Sequence, residues 1–378
     1  MIPVNEPLLS GHELEYVTEC IRSGWISSQG RFIEEFESKW VQYCGRKYGV
    51  AVCNGTAALQ ASVAALKITP GDEVIMPSFT MISCALAVLY SAGIPVLVDS
   101  NQNTWTMDIN QVADKITSRT KAIMAVHIYG HPVDMDPLVE LAERHGLILI
   151  EDAAEAHGAE YLSGRNTVNP NWRRCGNFGA LSCFSFYANK PITTGEGGMV
   201  LTDDLPLAEK LRSLRNLYFQ TDRRFSHEEL GFNFRMTNLQ AAIGLAQMER
   251  VEQIVAKKRW IGQEYTKRLQ GISGLQLPVE EPWARNIYWM YGVVVAEETG
   301  IDAGALAQKL TERGVETRPF FRGMHEQPVF RKRGWFKNES YPVTERLSRR
   351  GLYLPSGMAL TEEQLAHVAT AVREIVAK

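Results

Sequence analysis

Between residues 48 and 155, short apolar runs alternate with helical stretches, and that rhythm limits the fold more than anything else in the chain. YGVAVCN (48–54), DEVIMPS (72–78), IPVLVDS (94–100), TKAIMAVHIYG (120–130) and LILIEDAAE (147–155) read as strands. GTAALQASVAALKI (55–68), TMISCALAVLYSAG (80–93) and DMDPLVELAERHG (134–146) read as the helices between them. Strands that are apolar on both faces need cover on both faces, so the pattern predicts an α/β fold with a mostly parallel central sheet between helices. Residues 1–30 read as an N-terminal arm, with a helix capped by Ser10 and Glu13 at the capping-box position. Residues 31–249 then form a large domain and residues 250–378 a smaller α+β domain, bridged by a long helix over 237–269. The polar stretch 156–178 reads as an exposed loop whose Arg165, Arg173 and Arg174 are solvated or face an anion, and 221–236 as irregular.

The bulk numbers exclude more than they select. The 378 residues carry a net charge of −3 with no basic stripe, which argues against a nucleic-acid partner. No apolar run approaches the ~18 residues of a membrane span, and the start shows no signal-peptide pattern, so a cytoplasmic enzyme is expected. Six scattered cysteines without a CxxC pair argue against a disulfide framework or a metal site. Cys53, Cys84 and Cys183 read as packing residues.

Three stretches carry chemistry. In FSFYANKPITTGEGG (184–198), Lys190 lies between an aromatic run and a glycine-rich turn, on a connection between two strands. A surface lysine with its stem on aromatics would explain the segment. So would an amine desolvated enough to react with a carbonyl. At NGTAAL (54–59) a strand passes into a helix through Gly55, Thr56 and Ala57, and a helix N-terminus is a ready phosphate site. Many such turns bind nothing. LILIED ends on Glu151 and Asp152, where open α/β sheets bind ligands, although an N-cap is the simpler use of such an acid. A phosphate site, an acid and an amine are together what pyridoxal 5′-phosphate requires: one end for its phosphate, one for its ring nitrogen and one for its aldehyde.

NGTAAL, PSFT, HIYGHPVDMD, EDAAEAHGA, FSFYANKPITTGEGG and GFNFRMTNLQAAIGLAQ together resemble the DegT-type nucleotide-sugar aminotransferases of PLP fold type I, over essentially the whole chain. NKPITTGEGGMV and RPFFRGMHEQPVF are most similar to the GDP-perosamine synthases, which aminate C4 of GDP-4-keto-6-deoxymannose with L-glutamate. The resemblance implies that Lys190 forms the Schiff base, Asp152 pairs with the pyridinium nitrogen, and Thr56, Ala57 and Ser185 hold the phosphate. It implies a homodimer with shared active sites, in which Asn233 reaches the partner's cofactor. Glu155 stands where many members have Gln near the ring hydroxyl, and Met81 where an aromatic usually stacks on the ring. Substrate contacts are implied for Trp25, Ser27, Arg235, Arg318 and His325. An ion pair at a strand end is the simpler reading of Arg318, whereas a loop His beside glycine and proline has few packing reasons to be there. Alternatives are a UDP- or dTDP-linked ketosugar as substrate, or a PLP-binding regulator without turnover. A dehydratase of the family would carry histidine in place of Lys190. Lipopolysaccharide O-antigen synthesis is the pathway expected from the resemblance.

Overall fold

The computed structural model describes residues 1–219 and 225–377. Part of the segment expected to be irregular, residues 221–224, and Lys378 lie outside the described residues. The strands of the first half are β1 (Tyr48–Val52), β2 (Glu73–Pro77), β3 (Ile94–Val98), β4 (Thr120–Val126), β5 (Ile148–Asp152), β6 (Glu160–Ser163), β7 (Asn171–Arg174), β8 (Leu181–Ser185) and β9 (Gly198–Thr202). Seven of them form one sheet in the order β1-β9-β8-β5-β4-β2-β3. β5, β4, β2, β3 and β8 pair in parallel, and β9 runs antiparallel to both of its neighbours. This is the α/β, mostly parallel architecture expected from the apolar runs.

Side-chain alternation explains why those runs are apolar throughout. Val74, Met76, Ala122, Met124 and Ile150 enter one core, and Ile75, Ile123, Ala125 and Leu149 enter another on the opposite face. At ~25 cal/mol per Å² of apolar surface removed from water, two covered faces roughly double what each strand contributes to stability.

The remaining strands are β10 (Leu275–Gln276), β11 (Ala284–Arg285), β12 (Tyr291–Val295), β13 (Arg318–Pro319) and β14 (Gly351–Leu354). β10, β12, β14 and β13 form an antiparallel sheet whose core includes Tyr265 of the helix Val251–Leu269 and Val372 of the C-terminal helix Glu362–Val376. β11, β6 and β7 form a third, small antiparallel sheet.

Three local expectations are corrected. The first helix runs Glu13–Ser23 with His12, not Ser10, at the N-cap, and Glu13 Oε2 accepts the Gly11 N–H (2.7 Å). The stretch 156–178 is no irregular loop but contains the β6–β7 hairpin. Its arginines are tied down: Arg165 to Asp134 (2.5 Å), Arg173 to Asn177, and Arg174 to Glu252 (2.9 Å) and the Tyr43 carbonyl (2.7 Å). The long helix over 237–269 is two helices, Asn238–Met248 and Val251–Leu269, broken at Glu249–Arg250. The first of these helices anchors the arm. Asn238 Nδ2 donates to the Trp25 carbonyl (2.8 Å), its backbone N–H to the Ser27 carbonyl (2.6 Å), and its Oδ1 accepts the Phe32 N–H (3.1 Å).

Candidate active site

The alternation along β5 sends two neighbouring acids to opposite faces. Glu151 follows Leu149 into a packed interior, where it accepts five hydrogen bonds. Oε1 takes the N–H groups of Phe178 (2.7 Å) and Gly179 (2.6 Å) and the Ser182 hydroxyl (3.1 Å). Oε2 takes the Gly176 N–H (2.7 Å) and His127 Nε2–H (3.1 Å). His127 Nδ1 accepts the Val133 N–H (3.0 Å), which leaves the ring proton on Nε2. Burial alone would raise the Glu151 pKa, but the hydrogen bonds from His127, Gly179 and Gly176 hold it down at about 2.

Asp152 follows Ile150 to the other face and ends on a cavity of about 480 Å³ beyond the carboxyl ends of the strands. Its oxygens are already oriented: Oδ1 accepts the Ala154 N–H (3.1 Å) and Oδ2 the Cys84 thiol (3.0 Å). Thr56, Met81, Glu155, Ser185 and Lys190 line the same cavity. The sheet therefore brings together seven residues singled out in the sequence, counting Asp152 and Gly55.

Lys190 sits on the return between β8 and β9. The return is closed by Phe186 N–H to the Gly197 carbonyl (2.8 Å), and the Lys190 N–H caps Tyr187 (2.8 Å). Its Nζ is enclosed, 3.9 Å from Glu155 Oε1 and 3.5 Å from the centroid of the Trp289 ring. Burial lowers the pKa of this amine, and the Glu155 and Asp152 carboxylates oppose that shift. Burial raises Glu155, against the pull of Lys190 and of the Tyr129 N–H, which Glu155 Oε2 accepts at 2.7 Å. His157, behind the lysine, is pushed down to about 3 by burial and by Lys190. Burial thus favours the neutral form of the amine, the form a nucleophile requires.

The helix Gly55–Ala65 begins at this cavity. Asn54 caps it, its Oδ1 accepting the Ala57 N–H (2.8 Å). That leaves the N–H groups of Gly55 and Thr56 over, and the Ala57 N–H is the one already used. The Thr56 hydroxyl pairs with Ser83 (2.8 Å). Two glycines make the approach possible. A Cβ on Gly55 would lie 2.6 Å from Ser185 Cβ, and one on Gly198 would collide with the Asn54 carbonyl.

The other expected residues lie elsewhere on the chain. Arg235 lines a separate cleft with Arg212, Arg215 and Asn216, and donates to Asn216 Oδ1 (2.8 Å). Asn233 is exposed beside Asn216. Trp25 is 55% exposed on the arm. Arg318, at the edge strand β13, pairs with Glu316 (2.6 Å). His325 has strong packing reasons after all: it is 2% exposed, with Nδ1 on the Ser78 hydroxyl (2.8 Å) and Nε2 on Glu345 (3.2 Å). Sequence reasoning missed Trp289, which lies just ahead of β12. It also read Cys84 as packing alone, although the thiol meets Asp152. An aromatic immediately before an apolar strand was the available signal.

The cavity fits pyridoxal phosphate at each end: free N–H groups and hydroxyls for the phosphate, an oriented carboxylate for a cationic ring nitrogen, and an enclosed amine for the aldehyde. Fold and site together define a PLP enzyme of fold type I. Residues 7–373 match the DegT/DnrJ/EryC1/StrS aminotransferase family, and the chain belongs to that family. Its cofactor is pyridoxal 5′-phosphate. It is 40% identical over 373 residues to GDP-perosamine synthase of Escherichia coli O157:H7, covering 99% of this chain and 98% of that one. It is 42% identical over 376 residues to GDP-perosamine synthase of Caulobacter vibrioides, with the same coverage. The solved structure of Streptomyces venezuelae DesV in complex with a ketimine intermediate superposes with a TM-score of 0.89 at 35% identity, covering 97% of this chain and 95% of that one.

Proposed function

We propose that the chain moves the amino group of L-glutamate onto C4 of GDP-4-keto-6-deoxymannose, giving GDP-perosamine and 2-oxoglutarate. The observation that carries the reaction class is the Lys190 amine, enclosed by Glu155 and Trp289 in the same cavity as Asp152 and the start of the helix Gly55–Ala65. Similarity to two GDP-perosamine synthases supports the sugar nucleotide.

The cofactor, when bound, supplies an aldehyde carbon and a ring that accepts an electron pair. The chain supplies the rest. Gly55 and Thr56 N–H groups, with the Thr56 and Ser185 hydroxyls, hold the phosphate. Asp152, fixed by Ala154 and Cys84, keeps a proton on the ring nitrogen. Glu155, raised by burial, takes the place of a neutral hydrogen-bonding group near the ring hydroxyl, and Met81 covers a ring face. Lys190 Nζ anchors the cofactor and, once displaced, carries a proton between donor and acceptor carbons. Asn233, Arg235, Trp25 and Ser27 serve the partner's site in a homodimer with shared active sites. Arg318 and the loop of His325 form the substrate side. We place the enzyme in the cytoplasm, feeding lipopolysaccharide O-antigen synthesis.

The test has two arms. The purified protein with PLP is expected to absorb near ~420 nm, and to lose that band in Lys190→Ala. Supplied with glutamate and the GDP-, UDP- or dTDP-linked ketosugar, it is expected to make an aminosugar nucleotide from the GDP form, read by mass spectrometry. Faster turnover of another nucleotide would overturn the substrate assignment. No 2-oxoglutarate from any of them would overturn amino transfer.

A further inference from the structure

The indole that faces the active-site amine has its own support one layer deeper. Lys258, on the helix Val251–Leu269, is 1% exposed. Among the described residues no carboxylate pairs with it. Its amino group donates instead to the carbonyl oxygens of Trp289 (2.6 Å) and Ser356 (2.5 Å). A buried amine without an acid is expensive to keep, and burial pushes this one down to about 7.

Its carbonyl partner belongs to a strained turn. Tyr288 has φ +48°, in the left-handed region that bulky residues rarely occupy. The turn is gripped from two further sides. Asn286 Oδ1 accepts the Tyr288 N–H (2.7 Å). Gly262, one helical turn beyond Lys258, lies so close to the Tyr288 ring that a Cβ would collide. What this grip fixes is the Trp289 ring: its Nε1–H donates to the Asn189 carbonyl (2.8 Å), and its face lies 3.5 Å from Lys190 Nζ.

We propose that Lys258 is a positioning residue for Lys190: by holding the Trp289 carbonyl it keeps the strained turn in place and the indole face against the Lys190 nitrogen, where the ring stabilises positive charge. This rests on the reading of Lys190 as the cofactor lysine. The other groups facing that nitrogen are the Glu155 and Asp152 carboxylates and the His157 imidazole. None of them touches Lys258, so the turn is the route by which Lys258 acts.

The experiment follows the holoenzyme spectrum against pH, because the ~420 nm band reports the proton on the Lys190 nitrogen independently of turnover. Trp289→Leu is expected to lower the pH midpoint by about one unit, the size of a desolvated cation–π contact. Lys258→Met is expected to shift it in the same direction, and the double variant no further than Trp289→Leu alone. A Lys258→Met protein that melts lower with an unmoved midpoint reveals a merely structural lysine and overturns the proposal. If Lys258→Met does not fold, Lys258→Leu, which likewise removes the donor to the Trp289 carbonyl, is read in the same way. An unmoved midpoint in Trp289→Leu overturns the proposal whichever Lys258 variant folds. A band that survives in Lys190→Ala shows instead that the reading of Lys190 fails.

Discussion

Replacing Glu151 with Gln separates the two neighbouring acids of β5. The amide keeps the shape of the carboxyl but must present an NH₂ to donors. If it stands at Oε2 it confronts the Gly176 N–H and His127 Nε2–H; if at Oε1, it confronts two N–H groups and a hydroxyl. His127 cannot move its proton away without facing the Val133 N–H at Nδ1. Hydrogen bonds to a charged group contribute about 1.5–3 kcal/mol each, so losing two of them costs about 3–6 kcal/mol. Linkage gives the same scale. The carboxyl sits at about 2 instead of its ordinary 4.5, a difference worth about 3 kcal/mol at 1.36 kcal/mol per unit. The folded-state value is the depressed one, so as pH falls the unfolded chain takes up its proton first. The stabilisation is therefore complete above about 4.5 and lost by about 2. Urea unfolding of Glu151→Gln at one fixed protein concentration is expected to show about 3 kcal/mol less stability than wild type at pH 7. The gap should narrow as pH is taken down through the 4.5-to-2 window. The folded variant should still hold cofactor on Lys190. A variant as stable as wild type at pH 7, or a gap that does not change with pH, would refute the account of Glu151.

Asp152→Asn is expected to do the reverse: stability within about 1 kcal/mol of wild type, and kcat down by about 100-fold or more in the glutamate half-reaction. Gly198→Ala drives a methyl into the Asn54 carbonyl and so displaces the start of the phosphate helix. Its PLP affinity, titrated by absorbance, should fall at least about tenfold, with about 1–3 kcal/mol lost in stability. Mixing inactive Lys190→Ala with inactive Asn233→Ala and allowing subunits to exchange should restore roughly a quarter of wild-type activity, since only mixed dimers hold one intact site. No recovery despite exchange would count against shared sites.

What was legible depended on whether a residue's neighbours in sequence are its neighbours in space. The apolar strands announced a sheet covered on both faces because alternation is a local property. Lys190, Asp152 and Gly55–Thr56 were legible because a parallel sheet delivers strand ends to one edge, so three separated segments share one place. The β6–β7 hairpin was hidden because its short strands, EYLS and NWRR, are largely polar and bury only Tyr161 fully. Position 249–250 carries no Gly or Pro, so the break between the two helices gave no signal. His325 was misjudged because its partners, Ser78 and Glu345, are contributed by distant segments. Trp289 was missed for a related reason: it follows a left-handed Tyr288 just ahead of β12, and no local rule places a tyrosine there.

The direction of the strands has a practical side. Gly71 and Gly146 each lead into a strand of the parallel set, β2 and β5, from the end remote from the cavity, and no atom crowds either of them. The rim of the sheet that carries Thr56, Asp152 and Lys190 is therefore separated by the length of five strand residues from a rim whose turns open to solvent. Tags, fluorophores or whole fused domains can be spliced into those outer turns while the catalytic rim is left as it is.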